Sequence, residues 1–271
     1  MLPLKIRPLT ADFGAEVRDL DLINTDENLS AAILDQLDES ALLLFRRQSL
    51  HDEDLLRLSQ ALGPVEEPAA KAQHAPGFKE INYISNLQDE SGRPIGGANP
   101  GAETPWHSDQ AFRVRPATLP TLFCVQPSLE GGATSFASTR LGYETLPAAM
   151  KARIAGLRGT YLPGPMHEVE SGEVLHPLVL EHPIRDRRTL YVSPLTKEVE
   201  GLSAVEGRAL LEELLGCVLK PEHQYRHNWR MGDLLIYDNA QLLHRRDAFA
   251  GLRWLKATRV FVSPQHFAVP D

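Results

Sequence analysis

The segment Trp106-His107-Ser108-Asp109 sets an imidazole and a carboxylate two residues apart. At a strand end, both side chains point to one face. A second imidazole, His244, stands far along the chain in DLLIYDNAQLLHRR. Two histidines and one carboxylate on a rigid β-scaffold are the facial triad of mononuclear non-haem Fe(II) oxygenases. Three protein ligands on one face leave open positions for a bidentate 2-oxo acid and then oxygen. The chain has 10 histidines and 36 acidic residues, so His-x-Asp alone carries little. Zinc is a rival metal for the same donor set.

Something must hold these groups on strands. ALLLFRRQ (41–48), INYISN (81–86), TLPTLFCVQPSL (118–129) and TSFAS (134–138) read as strands. So do HPLVLEHP (176–183), RTLYVSPL (188–195), HQYRHNWR (223–230), DLLIYDN (233–239), LLHRR (242–246) and RWLKATRVFVS (253–263). The start, LKIRPLTADFGAEVRDLDL, reads as a hairpin broken at Gly14. Helical spacing marks 27–39, 51–64, 141–157 and 203–219. The stretch 92–105 is dense in Gly and Pro and reads as a functional or mobile loop, as does 64–80. The expected fold is α+β, mainly β: a double-stranded β-helix (jelly-roll, cupin-like) core with flanking helices, one domain over 1–271.

Bulk properties exclude several classes. The chain has 271 residues, 42% of them hydrophobic, enough for a real core. The net charge of −8 argues against a nucleic-acid surface. No run reaches the ~18 apolar residues of a membrane span. Cys124 and Cys217 sit in apolar surroundings and read as small buried hydrophobes. A cytoplasmic enzyme with a small-molecule substrate is expected, with no nucleic-acid or membrane partner; the oligomeric state stays open, a homo-oligomer included.

Several motifs together carry a resemblance. GAEVRDLDL, ALLLFRRQ, WHSDQAF, GGATSFAS, GDLLIYDNAQLLHRRDAF and RWLKATRVFV occur in this order over most of the chain. The chain resembles the taurine/2,4-dichlorophenoxyacetate dioxygenase family of Fe(II)/2-oxoglutarate-dependent oxygenases. The resemblance implies that His107, Asp109 and His244 ligate Fe(II). It implies that Thr134 bonds the distal carboxylate of 2-oxoglutarate, and that an arginine after His244 pairs with it. Arg253 and Arg259 both qualify: they are six residues apart on one strand and share a face. Arg245 and Arg246 read as surface or structural. The implied cofactors are Fe(II), 2-oxoglutarate as co-substrate and O2, with succinate and CO2 released.

Hydroxylation of a small organic substrate is the expected outcome, with desaturation or cyclisation as alternatives. Relatives that halogenate carry Gly or Ala at the carboxylate position, so Asp109 disfavours that chemistry. Glu67 and Asn86 are candidate substrate contacts, and Trp106 and Phe112 candidate wall residues. The acidic Val65-Glu66-Glu67-Pro68 stretch suggests an amino acid, an amine or a natural-product intermediate as substrate. A metal-dependent cupin enzyme that does not use 2-oxoglutarate, and a β-barrel binding protein, are the rival readings.

Overall fold

The computed structural model describes residues 4–68, 73–97, 101–163, 172–265, 267–268 and 270. Two antiparallel-dominated sheets face each other. The main sheet runs in the order Lys5–Pro8, Ala15–Arg18, Leu42–Phe45, Leu234–Tyr237, Leu119–Gln126, Trp254–Val260, Phe78–Ser85, His74–Ala75. Its one parallel pair is Ala15–Arg18 with Leu42–Phe45. The minor sheet has the order Gln224–His227, Thr134–Ser138, Leu242–Arg246.

Period-two alternation explains the layering. Leu43, Phe45, Leu234 and Ile236 point outward, into a core shared with Leu29, Ile33, Leu37, Leu55 and Leu58 of two helices, Glu27–Ser40 and Asp52–Leu62. Their neighbours Leu42, Leu44, Leu235 and Tyr237 point inward, toward Phe136 and Leu242 of the minor sheet. LLIY at 234–237 is buried on both faces, which is why it reads as a continuous apolar run rather than an alternating one. Behind the minor sheet, Ala137 and Leu243 pack against Leu210, Leu211 and Leu214 of the helix Ala204–Val218. That helix opens with a capping box in which Ser203 and Glu206 satisfy each other's backbone amides.

One expectation needs correction. The helix read over 141–157 is two short helices, Thr139–Glu144 and Ala148–Ile154. Pro147 separates them, because a ring in place of its N–H cannot continue the first helix. Strands run along the whole chain, and six of the eight main-sheet strands precede residue 127. Within 92–105, Pro94–Ile95 pairs with Leu87–Gln88, while residues 98–100 lie outside the described residues, as do 69–72 of the 64–80 stretch. Among the described residues, no helix is long and apolar enough to cross a membrane.

Three buried imidazoles set the acid limit of this fold. His176, His182 and His227 all sit below the ordinary imidazole range, burial being the main cause in each. His176 Nε2 faces the carbonyls of Ala111 and Arg113 at 2.9 and 3.0 Å, fastening the loop that follows Asp109. A depressed imidazole binds fewer protons folded than unfolded, so its stabilising effect is complete above about pH 6.5 and is lost as pH falls below that value. Each such group costs up to about 1.4 kcal/mol per pH unit. Asp238 opposes them: burial raises its carboxyl to about 6, so it favours folding as pH falls through that value. These three, joined in the metal-free protein by the buried His244, outweigh one. The thermal midpoint of metal-free protein is expected to drop steadily from pH 6.5 to 5, read by scanning calorimetry; a flat or rising midpoint contradicts this.

Candidate active site

Residues 104–107 extend the minor sheet along its open edge. Thr104 N donates to Arg246 O at 3.0 Å, and His107 and His244 exchange backbone hydrogen bonds at 3.0 and 2.8 Å. The two histidines are therefore direct cross-strand neighbours, with ring centroids 4.1 Å apart. Asp109 follows two residues later, its backbone gripped by one amide side chain. Asn239 Oδ1 accepts from Asp109 N at 2.7 Å, and Asn239 Nδ2 donates to the carbonyls of Asp109 and Ala117 at 2.8 and 2.9 Å.

The three side chains converge. His107 Nε2 lies 3.8 Å and His244 Nε2 4.0 Å from Asp109 Oδ1. Among the described residues they form the one group of His, Cys, Asp or Glu side chains able to hold a metal ion. The donor types match a facial triad. His107 Nδ1 sits 2.8 Å from Pro105 O, so it carries the proton and leaves Nε2 with a free lone pair. Burial is the main cause that pushes His244 down to about 3, with Arg259 adding to it and Asp109 opposing. Burial alone would raise Asp109, but nearby positive charge, led by the Arg259 guanidinium, outweighs it and holds the carboxyl at about 2. All this favours an ionised carboxylate beside a neutral His244.

These donors line a cavity of about 180 Å³ between the sheets, walled on the apolar side by Ile84, Leu122, Leu255 and Ala257. Three arginines reach it. Arg259 is tied to the metal end, its Nε 3.5 Å from Asp109 Oδ2. Arg253 is 2% exposed, and among the described residues its Nε and Nη1 find no hydrogen-bond partner. Burial, reinforced by Arg246, lowers its guanidinium to about 10. Its aliphatic stem passes over Gly132, where a Cβ would stand 3.2 Å from Arg253 Cδ and 2.4 Å from Ser128 Oγ. Gly132 also has φ +68°, so the Gly131-Gly132 turn both admits the arginine and delivers Thr134 to the cavity.

The structure brings His107, Asp109, His244, Thr134, Arg253 and Arg259 to one cavity. It does not bring the four candidate substrate and wall residues to that lining. Glu67 pairs with Lys79 at 2.6 Å on the surface. Asn86 splints the turn before the last strand, accepting from Arg253 N at 2.8 Å and donating to Gly251 O at 3.0 Å. Trp106 packs on the outer core under the Arg245 guanidinium, and Phe112 is half-buried off the cavity. Nor does Glu66 offer a carboxylate to a ligand: Gln110 Nε2 holds both its oxygens, at 2.7 and 2.6 Å, and Arg113 pairs with it.

Arg246, read as peripheral, lines the cavity beside Thr134, its cross-strand partner. Its place two residues after His244 on one strand was the available signal. Tyr237 was missed as well. It is fully buried, and its hydroxyl lies 3.3 Å from His244 Nε2.

The family model "Taurine catabolism dioxygenase TauD, TfdA family" matches residues 5–259. The chain is 31% identical over 261 residues to the alpha-ketoglutarate-dependent 2,4-dichlorophenoxyacetate dioxygenase of Cupriavidus pinatubonensis, covering 88% of this chain and 90% of that protein. A crystal structure of a taurine dioxygenase from Burkholderia xenovorans superposes with a TM-score of 0.83 at 28% identity, over 98% of this chain and 94% of the other. AAD-2 in complex with Mn(II) and N-oxalylglycine also gives 0.83, at 26% identity, over 97% and 99%.

Proposed function

The chain belongs to the TauD/TfdA dioxygenase family, and from that membership we propose that it is an Fe(II)- and 2-oxoglutarate-dependent dioxygenase that oxidises, most simply hydroxylates, a small anionic organic substrate. One observation carries the reading. A His/Asp/His donor set stands in the same 180 Å³ cavity as a buried arginine with unpaired N–H groups. A desolvated guanidinium with unfilled N–H groups is costly, and its planar fork suits a carboxylate. The two facing sheets support a jelly-roll description of the barrel.

His107, Asp109 and His244 would hold Fe(II), which with 2-oxoglutarate bound supplies oxygen activation and releases succinate and CO2. The protein's part is orientation and charge. Pro105 fixes the His107 tautomer, Asn239 anchors the Asp109 backbone, and Arg259 keeps the Asp109 carboxylate ionised and turned to the site. Arg253 and Thr134 would hold the distal carboxylate of 2-oxoglutarate. Leu122, Leu255 and Ile84 give the cavity an apolar wall that limits water.

Charge points to the substrate class. Arg246, Arg253 and Arg259 line the cavity, and Asp109 is the one carboxylate among its described lining residues. A divalent ion with the Arg253 and Arg259 guanidiniums exceeds one carboxylate and a dianionic co-substrate, so an anionic substrate lowers the electrostatic cost and an amine raises it. The amine expectation drawn from Glu66 and Glu67 loses its basis, because both carboxylates are engaged elsewhere.

The test is Fe(II)- and 2-oxoglutarate-dependent succinate release over a panel of carboxylates, sulfonates, sulfate esters and amines. Stimulation by an anionic compound is expected. Stimulation by amines alone would refute the substrate class.

A further inference from the structure

Thr134 carries a hydroxyl that can donate one hydrogen bond and accept two. Trp229, from the segment after the edge strand Gln224–His227, donates its indole Nε1–H to Thr134 Oγ1 at 3.0 Å. An indole N–H is a donor only, so it occupies a lone pair of that oxygen. Among the described residues, the Thr134 O–H donates to nothing, and Thr134 is buried against the cavity. The one direction left for its proton is the cavity itself.

Trp229 is itself held in place. Its ring stands edge-on to His227, with centroids 4.5 Å apart at 86°. His227 Nδ1 meets Tyr225 Oη at 3.1 Å, and its Nε2 faces Asp233 Oδ2 at 3.2 Å. Asp233 in turn takes Arg46 Nη1 at 2.8 Å. The indole N–H is thus fixed by a buried polar chain that the metal site does not touch.

We propose that Trp229 is a positioning residue for the co-substrate: its indole N–H locks the Thr134 hydroxyl as a donor, so that Thr134 and Arg253 together select a 2-oxo acid bearing a distal carboxylate. This rests on the reading that Thr134 and Arg253 hold that carboxylate. Without the indole donor, the hydroxyl is free to turn toward a backbone carbonyl, and the ligand loses a preset hydrogen bond.

The experiment is an anaerobic titration of Fe(II)-loaded protein with 2-oxoglutarate and, separately, with 2-oxobutanoate, which lacks the distal carboxylate. The weak visible metal-to-ligand absorption reports binding, and no turnover is needed. Trp229→Phe keeps a ring against His227 and removes the N–H. It is expected to raise the Kd for 2-oxoglutarate about 5–10-fold, leaving Fe(II) affinity and the Kd for 2-oxobutanoate unchanged. In a Thr134→Val background the same change is expected to add nothing. Replacing Trp229 by 3-benzothienylalanine, an isostere without the N–H, repeats the test if the Phe variant folds poorly. An unchanged 2-oxoglutarate Kd in Trp229→Phe, equal weakening of both 2-oxo acids, or a further loss on top of Thr134→Val overturns the proposal. If Thr134→Val itself leaves 2-oxoglutarate binding intact, the distal-carboxylate reading fails instead, and the inference falls with it.

Discussion

Asp109→Ala is expected to lower Fe(II) affinity by more than 10²-fold and to bring succinate release to background. Two terms add. The change removes the one anionic donor of the three, and losing even an outer-shell partner costs about 10–100-fold in metal sites. It also deprives Arg259, 3.5 Å from the carboxylate in the native protein, of its nearest counter-charge beside the metal position. His107→Ala and His244→Ala remove a donor without that second penalty, so they are expected to be severe but smaller in effect on metal affinity. Equilibrium dialysis under argon followed by iron analysis measures the first term. Native-like iron binding by Asp109→Ala would remove this carboxylate from the metal site.

The second large effect is expected at Arg253. Arg253→Met keeps the stem volume over Gly132 and deletes the guanidinium. Removing one partner of a buried ion pair costs about 3–5 kcal/mol, so the Kd for 2-oxoglutarate is expected to rise on the order of 10²–10³-fold. Iron binding should be unaffected. The metal-free protein should not lose stability, because the lost group is a desolvated cation held near 10 by burial rather than by a partner. Arg253→Lys is expected to recover only part of the affinity, since an ammonium is a point charge without a fork. Isothermal titration with Mn(II) in place of Fe(II) measures these constants in air. Arg259→Met is the control: there the damage should appear in metal affinity. The reverse pattern, with 2-oxoglutarate binding lost at Arg259 and kept at Arg253, would exchange the two roles.

The pair illustrates how far the sequence reaches. Arg253 and Arg259 share a strand face, and nothing in RWLKATR says which of them meets a carboxylate of the protein. Only the inter-sheet geometry separates them, because Asp109 stands at one end of the cavity and the Gly132 turn at the other. The metal donors were legible because their chemistry is local: His-x-Asp needs one strand end, and His244 sits in an alternating strand. Most strands were legible for the same reason. TSFAS at 134–138 and LLHRR at 242–246 coincide with their strands. What could not be read was contact between segments distant in sequence. Asn239 holds Asp109 from 130 residues away, and Trp229 reaches Thr134 from 95 residues away. Glu66 was misread for a related reason, since its charge is visible in the chain but its neutralisation by Arg113 and Gln110 is not. Pro147 is the exception: a proline inside 141–157 is a helix break that the sequence itself displays.

The central claim is that iron and 2-oxoglutarate meet on one face of His107, Asp109 and His244. Its most direct test is anaerobic titration of the native, metal-free protein with Fe(II) and 2-oxoglutarate, followed by visible absorption. A weak metal-to-ligand band is predicted, saturating at one equivalent of each and requiring both. Iron binding without that band, at saturating 2-oxoglutarate, would mean that the 2-oxo acid does not chelate the metal. The site would then be that of a metal-dependent cupin working without 2-oxoglutarate.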